Sequence, residues 1–377
     1  MRFSIQKLII ASLTSLLAVS FIVSAACKKE LSDTITDNSA ATPDLSQTYT
    51  YNGITNRLAE LGRVLFYDKN LSLNNSTSCG SCHKQQHGFA DNQQFSRGLM
   101  GKLSTRNTSS LISTPFLGAS AFFWDGRAAN IDDAVLMPVL NQDEMHAIDL
   151  QYLPEKLNKL SYYPQLFQNA FGTPEINVPR IRQALAEFIN VMISVSSRVN
   201  SGNGAALSPD EIQGEALFKG KAKCYNCHVG QDFAGYDGSS FFNIGLDYEY
   251  PDKGRYLITG QQKHKGVFKL PSLRNVAESA PYMHDGRFGT LREVIDHYDH
   301  GIKNNPQLSY RLRNIPQSVL QNLPPNVMIE DMDFSMYPPQ SLNLTEIEKR
   351  QLEAFLRAMS DPAMLYDAKY SDPFRRQ

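Results

Sequence analysis

The sequence predicts a mainly α protein built from two related halves, and three observations carry that prediction. Gly-x-x-Leu-Phe occurs twice, as Gly62 to Phe66 and as Gly214 to Phe218. Each copy leads into Cys-x-x-Cys-His, at Cys79, Cys82 and His83 and again at Cys224, Cys227 and His228. Each then reaches an Asp-Gly-Arg, so that WDGRAANIDDAV (124–135) aligns without gaps on HDGRFGTLREVI (284–295). A repeated order of landmarks marks an internal duplication. Helical signals surround them: Ser208 with Glu211, Thr290 with Glu293 and Thr345 with Glu348 match capping boxes, and VPRIRQALAEFINVMISV (178–195) has helical periodicity.

Taken from the N-terminus, residues 1–26 read as a signal peptide of the lipoprotein type. Arg2 and Lys7 precede the apolar run LIIASLTSLLAVSFIV, and Ser24-Ala25-Ala26 precede Cys27. This resembles a lipobox, with Ser24 where Leu is usual, and implies a lipid on Cys27 that holds the protein to a membrane. An uncleaved anchor is the rival reading, and the short, Ser/Thr-diluted run weighs against it. Residues 27–50 are polar enough for a flexible tether. NSGNGAAL (200–207) is the natural linker between copies, 301–343 is a Pro-, Asn- and Gln-rich excursion, and a last helix is expected near 345–360. The chain has 377 residues, 42% hydrophobic and 20% charged, and a net charge of −1, which offers no basic surface for nucleic acid.

Four cysteines remain after Cys27. In an exported protein they could form two disulfides, and paired Cys-x-x-Cys can bind zinc. A His directly after both pairs, with only eight His in the chain, favours c-type haem instead. Two thioethers would attach each haem, and His83 or His228 would bind its iron. The expected fold is therefore two cytochrome c-like helical domains, each with one covalent haem c, in the periplasm.

The two copies differ where it matters for chemistry. Asn130 and Asp133 begin a helix that Pro138 stops, whereas the helix begun at Thr290 continues, with Leu291, Val294, Ile295 and Tyr298 on one inward stripe. Extending the alignment sets Tyr298 opposite Pro138. A phenolate can close the sixth position of a haem iron and Pro cannot, so the first iron is expected open and the second closed. Met283 is the rival ligand; His297 falls off the stripe and is expected at the surface or as a cap.

At these residues the chain resembles the bacterial di-haem cytochrome c peroxidases and their MauG-type relatives over roughly 50–365. The matching marks are both Cys-x-x-Cys-His units, Arg106-Asn107, Phe123-Trp-Asp-Gly-Arg127, Pro138, Glu144-Met145, Leu270-Pro-Ser-Leu-Arg-Asn275, Pro281-Tyr-Met-His-Asp-Gly286 and His297-Tyr298. The resemblance implies a peroxidatic N-terminal domain at 51–200, an electron-transfer domain at 201–345, and a helix and tail at 346–377. It implies that Glu144 is the acid-base group over the open iron and that Trp124 relays electrons between haems. It also implies calcium held by Asn107 with the carbonyls of Ser279 and Pro281, and Arg127 and Arg287 on haem propionates.

Three departures from the family pattern shape the expected function. No His occurs between 88 and 123, where many relatives carry a removable ligand; Met100 is an outside candidate. Ala134 stands where relatives often have Gln. Tyr298, rather than Met, is the MauG-type choice. The expected activity is reduction of hydrogen peroxide with electrons from a small cytochrome c or cupredoxin. Alternatives are a MauG-like oxidase acting on a large substrate and a non-catalytic electron carrier, and a homodimer is one assembly the sequence allows.

Overall fold

A computed structural model describes residues 42–51, 54–113, 121–147, 149–199, 207–235, 240–324 and 326–374. The leader, Cys27 and most of the 200–207 linker lie outside the described residues. We number the helices of six or more residues: α1 Arg57–Tyr67, α2 Tyr152–Asn158, α3 Tyr163–Phe171, α4 Val178–Asn190, α5 Pro209–Lys219, α6 Leu291–Asp296 and α7 Glu346–Arg357. Strand structure is confined to two-residue antiparallel pairs such as Phe241–Phe242 with Phe268–Lys269. No helix among the described residues is long and apolar enough to cross a membrane.

The Gly-x-x-Leu-Phe repeat is explained by two equivalent helix crossings. A Cβ on Gly62 of α1 would sit 1.9 Å from the Ala184 carbonyl oxygen of α4, and one on Gly214 of α5 would sit 2.0 Å from that of Gln351 in α7. Only glycine lets the backbones approach this closely. The Phe that ends each motif then anchors its own core. Phe66 packs with Leu65, Ile181, Leu185 and Phe188, and Phe218 packs with Leu352, Phe355, Leu291 and Ile295. Each such burial is worth about 1.5–3 kcal/mol, so each crossing is held by its own apolar cluster.

All three capping boxes form: Ser208 with Glu211, Thr290 with Glu293 and Thr345 with Glu348. The excursion at 301–343 contains short helical turns at Tyr310–Leu312, Gln317–Gln321 and Ile329–Asp331. Buried Arg313 organises it by donating to the carbonyls of Asn305, Leu308 and Tyr337.

Two boundaries depart from expectation. Residues 42–50, expected within the tether, pack on the body: the Asp44 amide donates to Pro373 O, Arg63 donates to Asp44 O, and Tyr49 is buried in the first core. The chain after α7 does not stay with the second core. Met364, Tyr370 and Phe374 pack into the first, where the Tyr67 hydroxyl donates to Tyr370 O at 2.7 Å. Polar composition in 42–50 hid the two groups, Tyr49 and the Asp44 backbone, that fasten it.

Candidate functional site

Both Cys-x-x-Cys-His units fold as a short helical turn, Cys79–Cys82 in the first copy and Cys224–Asn226 in the second. His83 Nδ1 lies 2.8 Å from Phe89 O, and His228 Nδ1 lies 2.7 Å from Phe233 O. A carbonyl only accepts, so Nδ1 carries the proton in both and Nε2 is the nitrogen left for a metal. Burial pushes both imidazoles toward the neutral form, His228 down to about 4. Neutral imidazole is the form that binds iron.

The four cysteines are free thiols. Burial, followed by the neighbouring thiol, raises Cys79 and Cys224 to about 12; burial also raises Cys82 and Cys227 to about 11. Cys79 packs against the first core and Cys224 against the second. No group of three or more His, Cys, Asp or Glu among the described residues is placed to share a metal ion. Paired thiols beside a neutral His whose Nδ1 is taken by a backbone carbonyl fit a covalently attached haem in each copy.

A cavity of about 580 Å³ opens beside His83, walled by Cys79, Trp124, Arg127, Pro138, Glu144 and Lys269. That is ample for a cofactor, whose sites run about 300–1,000 Å³. Asn107 also lines it, and its carbonyl accepts the Trp124 indole N–H at 2.8 Å. Glu144 sits half-buried in the wall, with its Oε1 accepting from Asn141 Nδ2 at 2.6 Å. Burial raises its carboxyl above the usual range, opposed by the Arg127 charge and the Asn141 bond. The Gly98–Gly101 turn clasps this loop: Leu99 N donates to Glu144 O at 2.8 Å, and a Cβ on Gly98 would strike Asp143 O at 1.9 Å.

Two expectations, on Met100 and Pro138, need correction here. Met100 is 87% exposed, at a backbone φ of 56°, so its thioether points away from the cavity and is no candidate ligand. Pro138 does not stop the helix begun at Asn130. That helix covers only Ile131–Ala134, and Pro138 lies in the first turn of another, Met137–Leu140, where the missing N–H costs nothing. Arg287 binds Asp247 and Asp285, and Arg127 pairs with Asp125 while stacking 4.0 Å over Phe123. Of the two, Arg127 is the one that lines the cavity.

In the second copy, α6 runs into a π-helical turn, His297–Gly301, and Tyr298 sits on it. Such turns recur at functional sites. Tyr298 packs in the cluster that contains Cys224, and its phenol is pushed up by burial and then by the Cys227 and Cys224 thiols. Met283 occupies a turn at φ 74°, matching Phe123 at φ 65° in the first copy, and is outside that cluster. His297 is buried, not at the surface: Nε2–H donates to Ile244 O at 2.9 Å, because the wide π turn swings it inward beside Tyr298. Asn107 N donates to His284 O at 2.7 Å, joining Asn107 to the segment that carries Ser279 and Pro281.

Asn141 and Lys269 escaped sequence reasoning, and Arg106 was noted there without a role. Asn141 orients Glu144. Arg106 bridges Asp125 and Asp252 at 2.6 Å each, tying the first Asp-Gly-Arg turn to the second half. Lys269 lines the cavity, its backbone N–H donates to Trp124 O at 2.8 Å, and burial lowers its ammonium to about 8. Its one available signal was position, directly before Leu270-Pro-Ser-Leu-Arg-Asn275.

Comparison with known proteins agrees with this geometry. Residues 56–202 match the profile of the family described as di-haem cytochrome c peroxidase. The methylamine utilization protein MauG of Methylorubrum extorquens is 34% identical over 71% of this chain and 75% of its own length. The cytochrome c551 peroxidase of Nitrosomonas europaea is 33% identical over 63% of this chain and 72% of its own. A solved structure of a MauG-like protein associated with microbial copper homeostasis superposes with a TM-score of 0.69 at 29% identity, covering 89% of this chain and 98% of that one.

Proposed function

The chain belongs to the di-haem cytochrome c peroxidase family, and from that premise we propose that it reduces hydrogen peroxide to water at the His83 site. Bound haem would supply the peroxide-binding iron and the oxidising chemistry at the first site, and electron storage at the second. His83 Nε2 would hold the first iron, with Cys79 and Cys82 as thioether anchors. His228, Cys224 and Cys227 would do the same for the second, where Tyr298 would be a further ligand. The observation that carries the reading is Glu144 in the cavity wall of the copy that has Pro138 where the other has Tyr298.

Glu144 would take a proton from the near oxygen of peroxide and return it to the departing one, which leaves as water. Two electrons and two protons convert one H₂O₂ to two H₂O, the electrons coming from a small cytochrome- or cupredoxin-type donor. Trp124, which lines the cavity and accepts the Lys269 backbone N–H, would relay the electrons. Glu144→Gln is expected to slow the reaction with peroxide by about 100-fold or more, the usual contribution of a general acid-base group. A near-normal rate removes Glu144 from the mechanism.

Tyr298 favours a second reading, a MauG-like oxidase that spends the same oxidising equivalents on a large substrate. An anionic phenolate stabilises higher oxidation states better than Met would. Steady-state peroxide consumption with reduced cytochrome separates the two: fast turnover supports the peroxidase, and negligible turnover with a long-lived oxidised state supports the oxidase. We propose further that the protein is exported and anchored through lipid on Cys27. Calcium, if bound, would take Asn107 Oδ1 and the Ser279 and Pro281 carbonyls, oxygen donors of the kind that ion prefers.

A further inference from the structure

The carbonyl that receives each proximal histidine belongs to a phenylalanine in a conformation that needs support. Phe89 has φ 55° and Phe233 has φ 52°. A bulky side chain in the left-handed region is an outlier that persists only when its surroundings enforce it. The support is the same in both copies. Ser110 Oγ donates to Gly88 O at 2.6 Å, and Ser272 Oγ donates to Asp232 O at 2.7 Å, in each case the residue just before the phenylalanine.

The likeness extends through four residues, Ser110-Leu-Ile-Ser113 and Ser272-Leu-Arg-Asn275. Each serine oxygen also accepts the N–H two residues on, from Ile112 at 3.2 Å and from Arg274 at 3.1 Å. The fourth residue is left-handed in both, Ser113 at φ 59° and Asn275 at φ 56°. Its N–H reaches the carbonyl of Met192 or Met359, just past the ends of α4 and α7. Alignment through the Asp-Gly-Arg turns does not bring these segments into register, so the sequence repeat did not show them.

We infer that Ser110 and Ser272 are equivalent positioning residues, each fixing the acceptor of its own copy's histidine Nδ1–H. Arg274 adds a charged brace found in the second copy alone. The strength of the bond on Nδ1–H sets how basic the ligating nitrogen is, so the serines act on the iron through His83 and His228. In the first copy the third position is Ile112 and the residue before Phe89 is Gly88, so those two positions form no ion pair there. In the second, buried Arg274 pairs with Asp232 at 3.3 Å, donates to Ser197 Oγ at 3.0 Å and stands 5.7 Å over the Phe233 ring. The histidine of the electron-storing half is thereby held by serine and the Arg274–Asp232 ion pair together, that of the peroxide half by serine without that ion pair.

This inference rests on the proposal that His83 and His228 ligate haem, and its test separates the two. In the reduced full-length holoprotein, the iron–histidine stretching band of the His83 haem is recorded by resonance Raman, and the midpoint potential of each haem by spectroelectrochemistry. Ser110→Ala is expected to shift the His83 band down and that haem's potential up, leaving the second haem unmoved. Ser272→Ala is expected to shift the second potential alone, by less, because Arg274 still holds Asp232. Ser110→Thr, which keeps the hydroxyl, restores the wild-type values. A wild-type band that Ser110→Ala leaves in place, equal shifts of both haems, or a Thr variant that behaves like Ala overturns the positioning role. No iron–histidine band in the wild type overturns the ligand assignment itself.

Discussion

Glu144 shows how a single side chain is made ready by its surroundings. Burial raises its carboxyl, while Arg127 and the Asn141 amide stabilise its charged form. To take a proton from peroxide it must be ionised, so activity falls as pH drops through its raised pKa. The acid limb of kcat/KM is therefore expected above the roughly 4.3 of an unperturbed Glu. Asn141→Ala removes a bond that lowers the pKa, and the limb should move to higher pH in stopped-flow profiles; a limb that stays in place contradicts the role given to Asn141. The residues proposed to attach haem were legible because thiols and imidazole are adjacent in sequence. Lys269 and Ser110 were not, because each meets its neighbour, Trp124 O or Gly88 O, across the fold; Asn141 was not, because only the local turn shows that its amide reaches Glu144 three residues on.

Among the elements, the helix crossings are the most exacting. A methyl group at position 62 would have to displace the Ala184 carbonyl of the partner helix, and one at 214 the Gln351 carbonyl. Gly62→Ala and Gly214→Ala should each lower stability by about 1–3 kcal/mol or more, the cost of forcing extra volume into a packed interface. Gly289→Ala, whose Cβ would meet only the Glu293 carboxylate at 3.6 Å, should fall within about 0.5 kcal/mol of wild type. Urea midpoints check all three; a Gly62→Ala midpoint equal to wild type contradicts the crossing argument. The capping boxes and the long helices were legible because their signals are local. The π turn was not, since an α-helical stripe assigns His297 outward while the wider turn brings it in with Tyr298. Pro138 was misjudged for a related reason: proline begins a turn as readily as it ends one.

Across the whole molecule, two cores share one continuous unit, and the chain's last segment fastens the first of them. Arg63, 2% exposed, donates to the backbone of Ala368 and Lys369 as well as Asp44. Deleting residues 361–377 is expected to leave that guanidinium buried without those C-terminal acceptors and to strip Met364, Tyr370 and Phe374 from the core. The melting temperature should fall, with the His83 half unfolding first by hydrogen exchange; unchanged protection in α1 and α4 contradicts this. The duplication was readable from three motifs, but the return of residues 361–374 to the first core was not, because no local pattern reports which distant surface a tail will cover.

The account as a whole depends on unlike axial surroundings in two like halves, and low-temperature electron paramagnetic resonance of the oxidised holoprotein reads this directly. It predicts one high-spin, five-coordinate haem and one low-spin, six-coordinate haem, with Tyr298→Phe converting the second to high spin and leaving the first as it was. Two low-spin haems, both six-coordinate through protein side chains, would contradict it.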